Sequence, residues 1–111
     1  MTGLTFEVMG LPPTKADDAR SSALICDVKD LMRKNNFMTI HSQGVRLAIE
    51  FQARAASGFS DPVGVIDAIS IALETAGVYS SCSLIRDVRF IRKTAQETKY
   101  FIGVSMIDSK R

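Results

Sequence analysis

The segment from Gly44 to Arg54 alternates apolar and polar residues more regularly than any other part of the chain. Successive side chains of a β-strand point to opposite faces, so the alternation separates an apolar face from a polar one. The apolar face carries Val45, Leu47, Ile49, Phe51 and Ala53, and the polar face carries Arg46, Glu50, Gln52 and Arg54. We therefore predict a strand with one buried face, against which other elements must pack.

An amphipathic helix is predicted before this strand. From Asp17 onward, apolar residues recur at spacings of three and four, and acidic residues occupy the other face. Asn35-Asn36 ends the segment after two basic residues, which the helix dipole favours near a C-terminus. These features predict a helix of about 15 to 18 residues. Its buried stripe would be Leu24, Val28 and Leu31. We expect Cys26, close to this stripe, to lie in the core.

A second helix is predicted after the strand. Asp61-Pro62 places a good N-cap residue before proline at the first helical position, and Gly77 supplies the C-terminal stop. The predicted buried stripe is Val65, Ile69, Ala72 and Ala76, and the predicted outward residues are Asp67, Ser70 and Glu74.

The remaining segments complete an α+β fold. Short strands are predicted at Leu4–Met9, at Leu84–Arg92 and at Tyr100–Ile107, and the polar connection Lys93–Lys99 predicts that the last two form a hairpin. Phe37–Gln43 is either a short strand or a structured loop. We therefore expect one domain over residues 1–111, with a single mixed β-sheet of four to five strands and two helices packed on it, in the order β-α-(β)-β-α-β-β.

Composition excludes few functions. The net charge is +2, from 14 basic and 12 acidic residues, so a nucleic-acid partner depends on whether the basic groups cluster. Two cysteines, Cys26 and Cys82, are too few for a disulfide framework. No secretory signal is visible at the N-terminus, and no segment approaches the roughly 20 apolar residues that cross a bilayer. We expect a cytoplasmic protein without a membrane partner.

The second helix and the turn after it carry the most specific motif. The run from Asp61 to Leu73, followed by Ala76 to Ile85, resembles the RusA family of Holliday-junction resolvases, which read D-x-D-N-L-x-K-x-x-x-D-A-L and then G-V/F-W-x-D-D-x-Q-V. The start is also similar, since a short strand leads into Gly10-Leu11-Pro12-Pro13 before a helix and a long strand. The likeness covers most of the chain in order and spacing.

Most acidic positions of that family are replaced here. Its first aspartate corresponds to Asp61, but the other positions of its motif correspond to Val63, Gly64, Asp67, Ile71, Ser81 and Cys82, and Tyr79 stands for its tryptophan. Valine cannot coordinate Mg²⁺, and a thiol suits so hard a cation poorly. The resemblance thus implies a homodimeric, phage or prophage protein that binds branched or duplex DNA without the usual metal-dependent cleavage. Asp61 is the one candidate catalytic and metal residue, and its simpler interpretation is an N-cap.

Basic residues supply the candidate DNA contacts. The strand after the turn carries Arg86 and Arg92 on one face and Arg89 and Lys93 on the other, and Arg46 and Arg54 lie on the preceding strand. Together these six side chains could line a phosphate-binding face. The alternative is that they only protect an exposed sheet edge from pairing with other chains.

Three further hypotheses remain open. The chain could be a RusA-fold protein-interaction or structural module that does not bind DNA, as its near-neutral charge suggests. It could instead be an active nuclease, with Asp61, Asp67 and Asp87 holding Mg²⁺. We otherwise expect no cofactor, or weakly bound Mg²⁺ at most. Cys82 could act as a nucleophile if His41, the single histidine, lay beside it.

Overall fold

The computed structural model describes residues 3–14, 19–54 and 62–107. Six regular elements and one short 3₁₀ turn follow each other in these ranges. They are β1 (Gly3–Met9), α1 (Ala19–Lys34), β2 (Val45–Ala53), α2 (Pro62–Ala76), the 3₁₀ turn Cys82–Leu84, β3 (Ile85–Thr94) and β4 (Lys99–Met106). The predicted α+β class is confirmed, with one mixed four-stranded sheet and two helices.

The strands lie in the order β1-β4-β2-β3. β4 runs antiparallel to both of its neighbours, and β2 and β3 are parallel. The predicted hairpin between the last two strands is therefore wrong, because β4 passes β3 and inserts between β1 and β2. This central position suits β4, whose Tyr100, Ile102 and Val104 are all buried. β3 is left at the edge of the sheet, where Val88 and Ile91 are each about 40% exposed.

Both helices pack on one face of the sheet. The predicted stripes are confirmed in α2, where Val65, Ile69, Ala72 and Ala76 are buried, and largely in α1, where Leu24 and Val28 are buried and Leu31 is partly so. They meet the apolar side of β2, whose Leu47, Ile49 and Phe51 are at most 1% exposed. Burying each such side chain contributes roughly 1.5–3 kcal/mol, so β2 is the centre of the core.

Both helices end at the residues that the sequence predicted to stop them. Asn36 after α1 and Gly77 after α2 both adopt positive φ angles, 53° and 97°, which are typical of residues that end helices. The amide of Gly77 donates to the carbonyl oxygen of Leu73 at 3.1 Å, which satisfies one of the last carbonyls of α2. The predicted N-cap of α2, Asp61, lies outside the described residues.

Residues 37–43 form no regular strand. One isolated bridge joins Ile40 to Tyr79, with Ile40 donating to Val78 and Ser80 donating to Ile40, both at 2.9 Å. This bridge ties the connection before β2 to the turn after α2. No helix among the described residues is long and apolar enough to cross a membrane.

Two predicted exposures are wrong. Cys26 is exposed, since it lies beside the buried stripe of α1 and not within it. Ser70 was expected on the outward face of α2 but is only 7% exposed, because the turn that follows α2 folds back over it.

Candidate nucleic-acid interface

The parallel pair β2–β3 carries five of the six basic residues predicted to contact DNA, and the sixth, Arg54, directly follows β2. Across the two strands Arg46 pairs with Asp87, Ala48 with Arg89 and Gln52 with Lys93. Since β2 buries its odd-numbered residues under the helices, Arg46, Arg89 and Lys93 extend from the opposite face. We call this opposite side of the sheet the open face. Arg92 pairs with Phe51 and so belongs to the helix-covered side.

Two of these cations already have carboxylate partners. Arg46 Nε lies 2.9 Å from Asp87 Oδ2, and Lys93 Nζ lies 3.6 Å from Glu50 Oε1. The basic side chains of these pairs are 54% and 59% exposed. Exposed ion pairs contribute about 0–1 kcal/mol, so a phosphate could replace either carboxylate at little cost.

Three of the other predicted arginines, Arg54, Arg86 and Arg89, have no carboxylate within ion-pair distance in the described part of the chain. Arg54 Nε donates to the carbonyl oxygen of Gln96 at 3.4 Å, and Arg86 Nη1 donates to that of Ser83 at 2.8 Å. The described residues supply the side chain of Arg89 with neither a hydrogen bond nor an ion pair. These three guanidinium groups therefore retain donors for an anionic ligand.

The carboxyl ends of β2 and β3 bring three cations together. Arg54, Arg92 and Lys93 line a depression of about 260 Å³, together with Ala53 and Thr94. A wider depression of about 570 Å³ is lined by Arg54, Thr94, Ala95 and Gln96. Ligands of α/β units bind at the carboxyl ends of parallel strands, so these cations occupy the position where a phosphate would be expected.

The six predicted residues do not form one patch. Arg46 and Arg86 lie at the amino end of the strand pair, roughly 26 Å from Arg54 by strand length. Arg89 lies between the two ends, on the open face. We therefore treat Arg54, Arg92 and Lys93 as the candidate interface, and Arg89 as a possible extension of it. The sequence identified the residue types, but Thr94 and Gln96 were missed because their proximity depends on strand register.

The turn after α2 holds no acidic residue at the positions that correspond to the RusA aspartates. Ser81 Oγ accepts the amide of Ser83 at 3.1 Å and so begins the 3₁₀ turn. The amide of Cys82 donates to Glu74 Oε2 at 3.2 Å, and its thiol donates to the carbonyl oxygen of Ser70 at 3.4 Å. Ser81 and Cys82 therefore serve to hold the turn against α2.

The surroundings of Cys82 do not activate it as a nucleophile. Burial and the neighbouring carboxylate of Glu74 raise the pKa of the Cys82 thiol. A reactive cysteine needs the opposite, a positive field or an adjacent base that stabilises the thiolate. The side chain of His41 is exposed and forms no hydrogen bond with Cys82 within the described residues, so these two residues do not form a nucleophile–base pair.

Two of the three carboxylates proposed for an active nuclease, Asp67 and Asp87, do not converge. Asp61 lies outside the described residues, and Asp67 is an exposed residue of α2, as expected. Asp87 lies on the open face beside Arg46, on the side of the sheet away from both helices. Among the residues that the structure describes, no three histidine, cysteine, aspartate or glutamate side chains are grouped to hold a metal ion.

Comparison with models of known protein families gives no match, and comparison with curated proteins gives no significant match either. The resemblance to the RusA family therefore rests on the residues quoted above.

Proposed function

We propose that this chain is a RusA-like cytoplasmic protein that binds branched or duplex DNA through its phosphates and does not use the family's metal-dependent cleavage. A phage or prophage origin and a homodimeric state are part of the same proposal. The two free cysteines agree with a reducing compartment, in which thiols persist.

The observation that carries the proposal is the convergence of Arg54, Arg92 and Lys93 at the carboxyl ends of β2 and β3. Phosphate contacts supply most non-specific affinity for DNA, and they come mainly from arginine and lysine. Arg89 extends the same basic surface along β3, where a DNA backbone could follow the strand. Arginine suits this role because its planar group can bind phosphate through two parallel hydrogen bonds.

The side chains of α2 and its following turn that stand at the family's aspartate positions favour DNA binding without metal-dependent cleavage. Val63 lies in the first turn of α2 and is 65% exposed, at a position where the family has an aspartate. Its side chain has no atom that can bind Mg²⁺, which takes oxygen ligands. The thiol of Cys82 is held by Ser70 and is kept protonated by burial and by Glu74.

The test is a gel-shift comparison of a four-way junction, a duplex and a single strand of the same length, at increasing salt. We expect affinity to fall linearly on a logarithmic scale, with a slope of about −0.9 for each duplex phosphate neutralised. Two or three phosphate contacts should therefore give a slope between about −2 and −3. The absence of binding to all three probes at about 50 mM salt would reject the proposal.

Matched variants locate the contact. Arg54→Ala and Lys93→Ala should each weaken binding and reduce the salt slope by about 1. Arg33→Ala is the control, because Arg33 is an exposed arginine of α1 that pairs with Asp30. An equal loss in the control would assign binding to net charge and not to the ends of β2 and β3.

The second candidate is a protein-interaction module that is indifferent to DNA. The open face favours it, because several of its charges are already paired and its centre is apolar. The two functions are distinguished by the gel shift, since the module should bind no probe at low salt.

A further inference from the structure

The open face contains a shallow apolar depression of about 200 Å³ near its centre. Its floor lies where three neighbouring strands present small side chains or none, at Thr5, Ala48 and Gly103. Ile91 and the half-buried ring of Phe101 border it on one side. A cavity of about 150 Å³ is enough to take up a benzene ring, so the depression has room for one planar ring.

The glycine in this floor is not required by the fold. Gly103 lies in the middle of β4 and does not adopt a positive φ angle. An added Cβ would meet Ala48 Cβ and Thr5 Oγ1 only at 3.9 Å, so the chain itself leaves room for a side chain. Glycine weakens the interior of a strand, and it often marks a place where a ligand approaches the backbone closely. The space above Gly103 is therefore a candidate ligand site.

The charges of the open face leave one cation beside this depression. Each carboxylate that the described strands place on the face lies within ion-pair distance of a lysine or arginine of the same face. These pairs are Glu7 with Lys99 at 3.5 Å, Glu50 with Lys93 at 3.6 Å and Asp87 with Arg46 at 2.9 Å. Arg89 is the remaining cation of these strands on the open face, and the described residues offer it no carboxylate within ion-pair distance.

Arg89 borders the depression and lies opposite Ala48 of its floor. The residue is exposed, so a ligand can reach the guanidinium group from solvent. A ligand that matches both features combines a planar, largely apolar ring with an adjacent negative charge. A nucleotide has this combination, and arginine can bind its phosphate through two parallel hydrogen bonds.

We infer that the open face binds an unpaired nucleotide of a DNA strand, with the base in the depression and the phosphate on Arg89. The inference rests on the proposed function and adds the class of DNA segment that this face selects. Lys93 connects the two sites, because it lies four residues after Arg89 on the same face of β3 and also lines the depression of about 260 Å³. A strand whose phosphates contact Arg54 and Lys93 can therefore continue to Arg89.

Only an unpaired base can enter the depression. In a duplex each base is stacked on its neighbours and paired at its edge, so extruding it costs free energy. Single-stranded DNA presents its bases freely, and stacking contacts of these bases stabilise protein complexes with little regard to sequence. Because Lys99 covers the ring of Phe101, with Nζ 5.5 Å from the centroid, the base meets the edge of that ring. Edge-to-face contacts are a favoured arrangement of aromatic rings.

A side chain of a protein partner fits the same surface less completely. An aromatic side chain would fill the depression but would bring no negative charge to Arg89. Covering that guanidinium group without an anion or a hydrogen-bond acceptor would cost free energy. A nucleotide supplies the ring and the charge together, so it is the occupant that both features favour.

Fluorescence anisotropy with three labelled probes tests the inference: an ordinary single strand, a strand of equal length without bases, and a duplex. The two single strands carry the same phosphates, so the difference in their affinities measures the contribution of the bases. We expect the wild type to bind the ordinary strand about tenfold more tightly than the abasic strand. The duplex affinity measures the proposed phosphate contacts separately.

The decisive variant is Gly103→Val, whose side chain fills the depression. Its affinity for the ordinary single strand should fall about tenfold, while its affinities for the abasic strand and the duplex and its melting temperature stay those of the wild type. Arg89→Gln should reduce the salt slope for the single strand by about 0.7, since it removes one phosphate contact. Met38→Ser, at a 78% exposed side chain outside the sheet, is the control and should bind all three probes normally.

Two results would overturn the inference and leave the proposed function intact. One is equal affinity of the wild type for the ordinary and abasic strands, and the other is an equal loss for single strand and duplex in Gly103→Val. The absence of binding to every probe would reject the inference together with the proposed function. Self-association of the wild type that Gly103→Val abolishes, with single-strand affinity unchanged, would assign the face to a second copy and also overturn the inference.

Discussion

The hydroxyl of Tyr79 donates to the backbone carbonyl oxygen of Ser70 at 2.7 Å, beneath the turn that closes α2. Tyr79 is fully buried, and the thiol of Cys82 reaches the same carbonyl oxygen at 3.4 Å. Since Ile40 also bridges to Tyr79, this hydrogen bond fixes the turn between α2 and the connection that leads into β2. The turn is thus an internally satisfied structural unit.

Removing this hydroxyl should destabilise the fold. We expect Tyr79→Phe to lower the free energy of unfolding by about 1–3 kcal/mol, because a buried hydrogen bond is lost and the hydroxyl is not replaced. Chemical denaturation measures the change. Ser80→Ala is the control, since the hydroxyl of Ser80 is exposed and its effect should stay within about 0.5 kcal/mol. Equal stability of Tyr79→Phe and the wild type would show that the hydroxyl of Tyr79 contributes nothing to the stability of this turn.

The same residue predicts a pH dependence. Burial, aided by the neighbouring Cys82, raises the pKa of Tyr79 well above its usual value of about 10.0. Above about pH 10, the usual pKa of tyrosine, the unfolded chain loses the phenolic proton while the folded chain keeps it. The free energy of unfolding therefore falls as pH rises. The fall is about 1.4 kcal/mol per pH unit for one proton. The difference between wild type and Tyr79→Phe should therefore narrow from pH 9 to about pH 11, and a constant difference would contradict this assignment.

The two cysteines provide an internal comparison of thiol reactivity. Cys26 is exposed, whereas Cys82 is partly buried and has a raised pKa owing to burial and to Glu74. Thiolate is the form that reacts with alkylating agents. Iodoacetamide near neutral pH should therefore modify Cys26 severalfold faster, as followed by mass spectrometry of the digested protein.

Changing the carboxylate beside Cys82 tests the cause of this difference. Glu74→Gln removes a charge that raises the pKa of the thiol, so alkylation of Cys82 should become faster. Glu97→Gln, at an exposed position in the connection before β4, should leave the rate unchanged. Faster modification of Cys82 than of Cys26 in the wild type would instead restore it as a candidate nucleophile.

The periodicity of apolar residues predicted the helices and strands well, but it did not predict which strands pair with each other. The buried sets of β2 and α2 follow directly from spacings of two and of three to four, since each spacing reports which side chains share a face. Tyr100, Ile102 and Val104 identify β4 as a strand in the same way, but alternation does not specify its neighbours. The hairpin prediction failed for this reason, because pairing depends on contacts between distant segments.

In the candidate interface, too, the sequence predicted which residues share a face but not which residues are neighbours across strands. Alternation correctly placed Arg92 on the face opposite Arg89 and Lys93. It could not reveal that Asp87 and Glu50 pair with two of the cations, because cross-strand neighbours depend on the register of β2 against β3. The burial of Ser70 likewise depends on how the chain folds back after α2, which helical spacing does not report.

The separation of Asp67 from Asp87 bears directly on nuclease activity. Asp67 lies on α2 and Asp87 on the open face, with the sheet between them. A shared Mg²⁺ requires oxygen ligands at 2.0–2.1 Å from one ion, so these two carboxylates cannot join Asp61 in a single site. We expect a four-way junction to remain intact with the protein and either Mg²⁺ or Mn²⁺, as judged on a denaturing gel. Asp61→Asn serves as the control for contaminating nuclease, because trace cleavage from a contaminant would persist in that variant. Metal-dependent cleavage by the wild type that Asp61→Asn abolishes would show that Asp61 works with ligands other than Asp87.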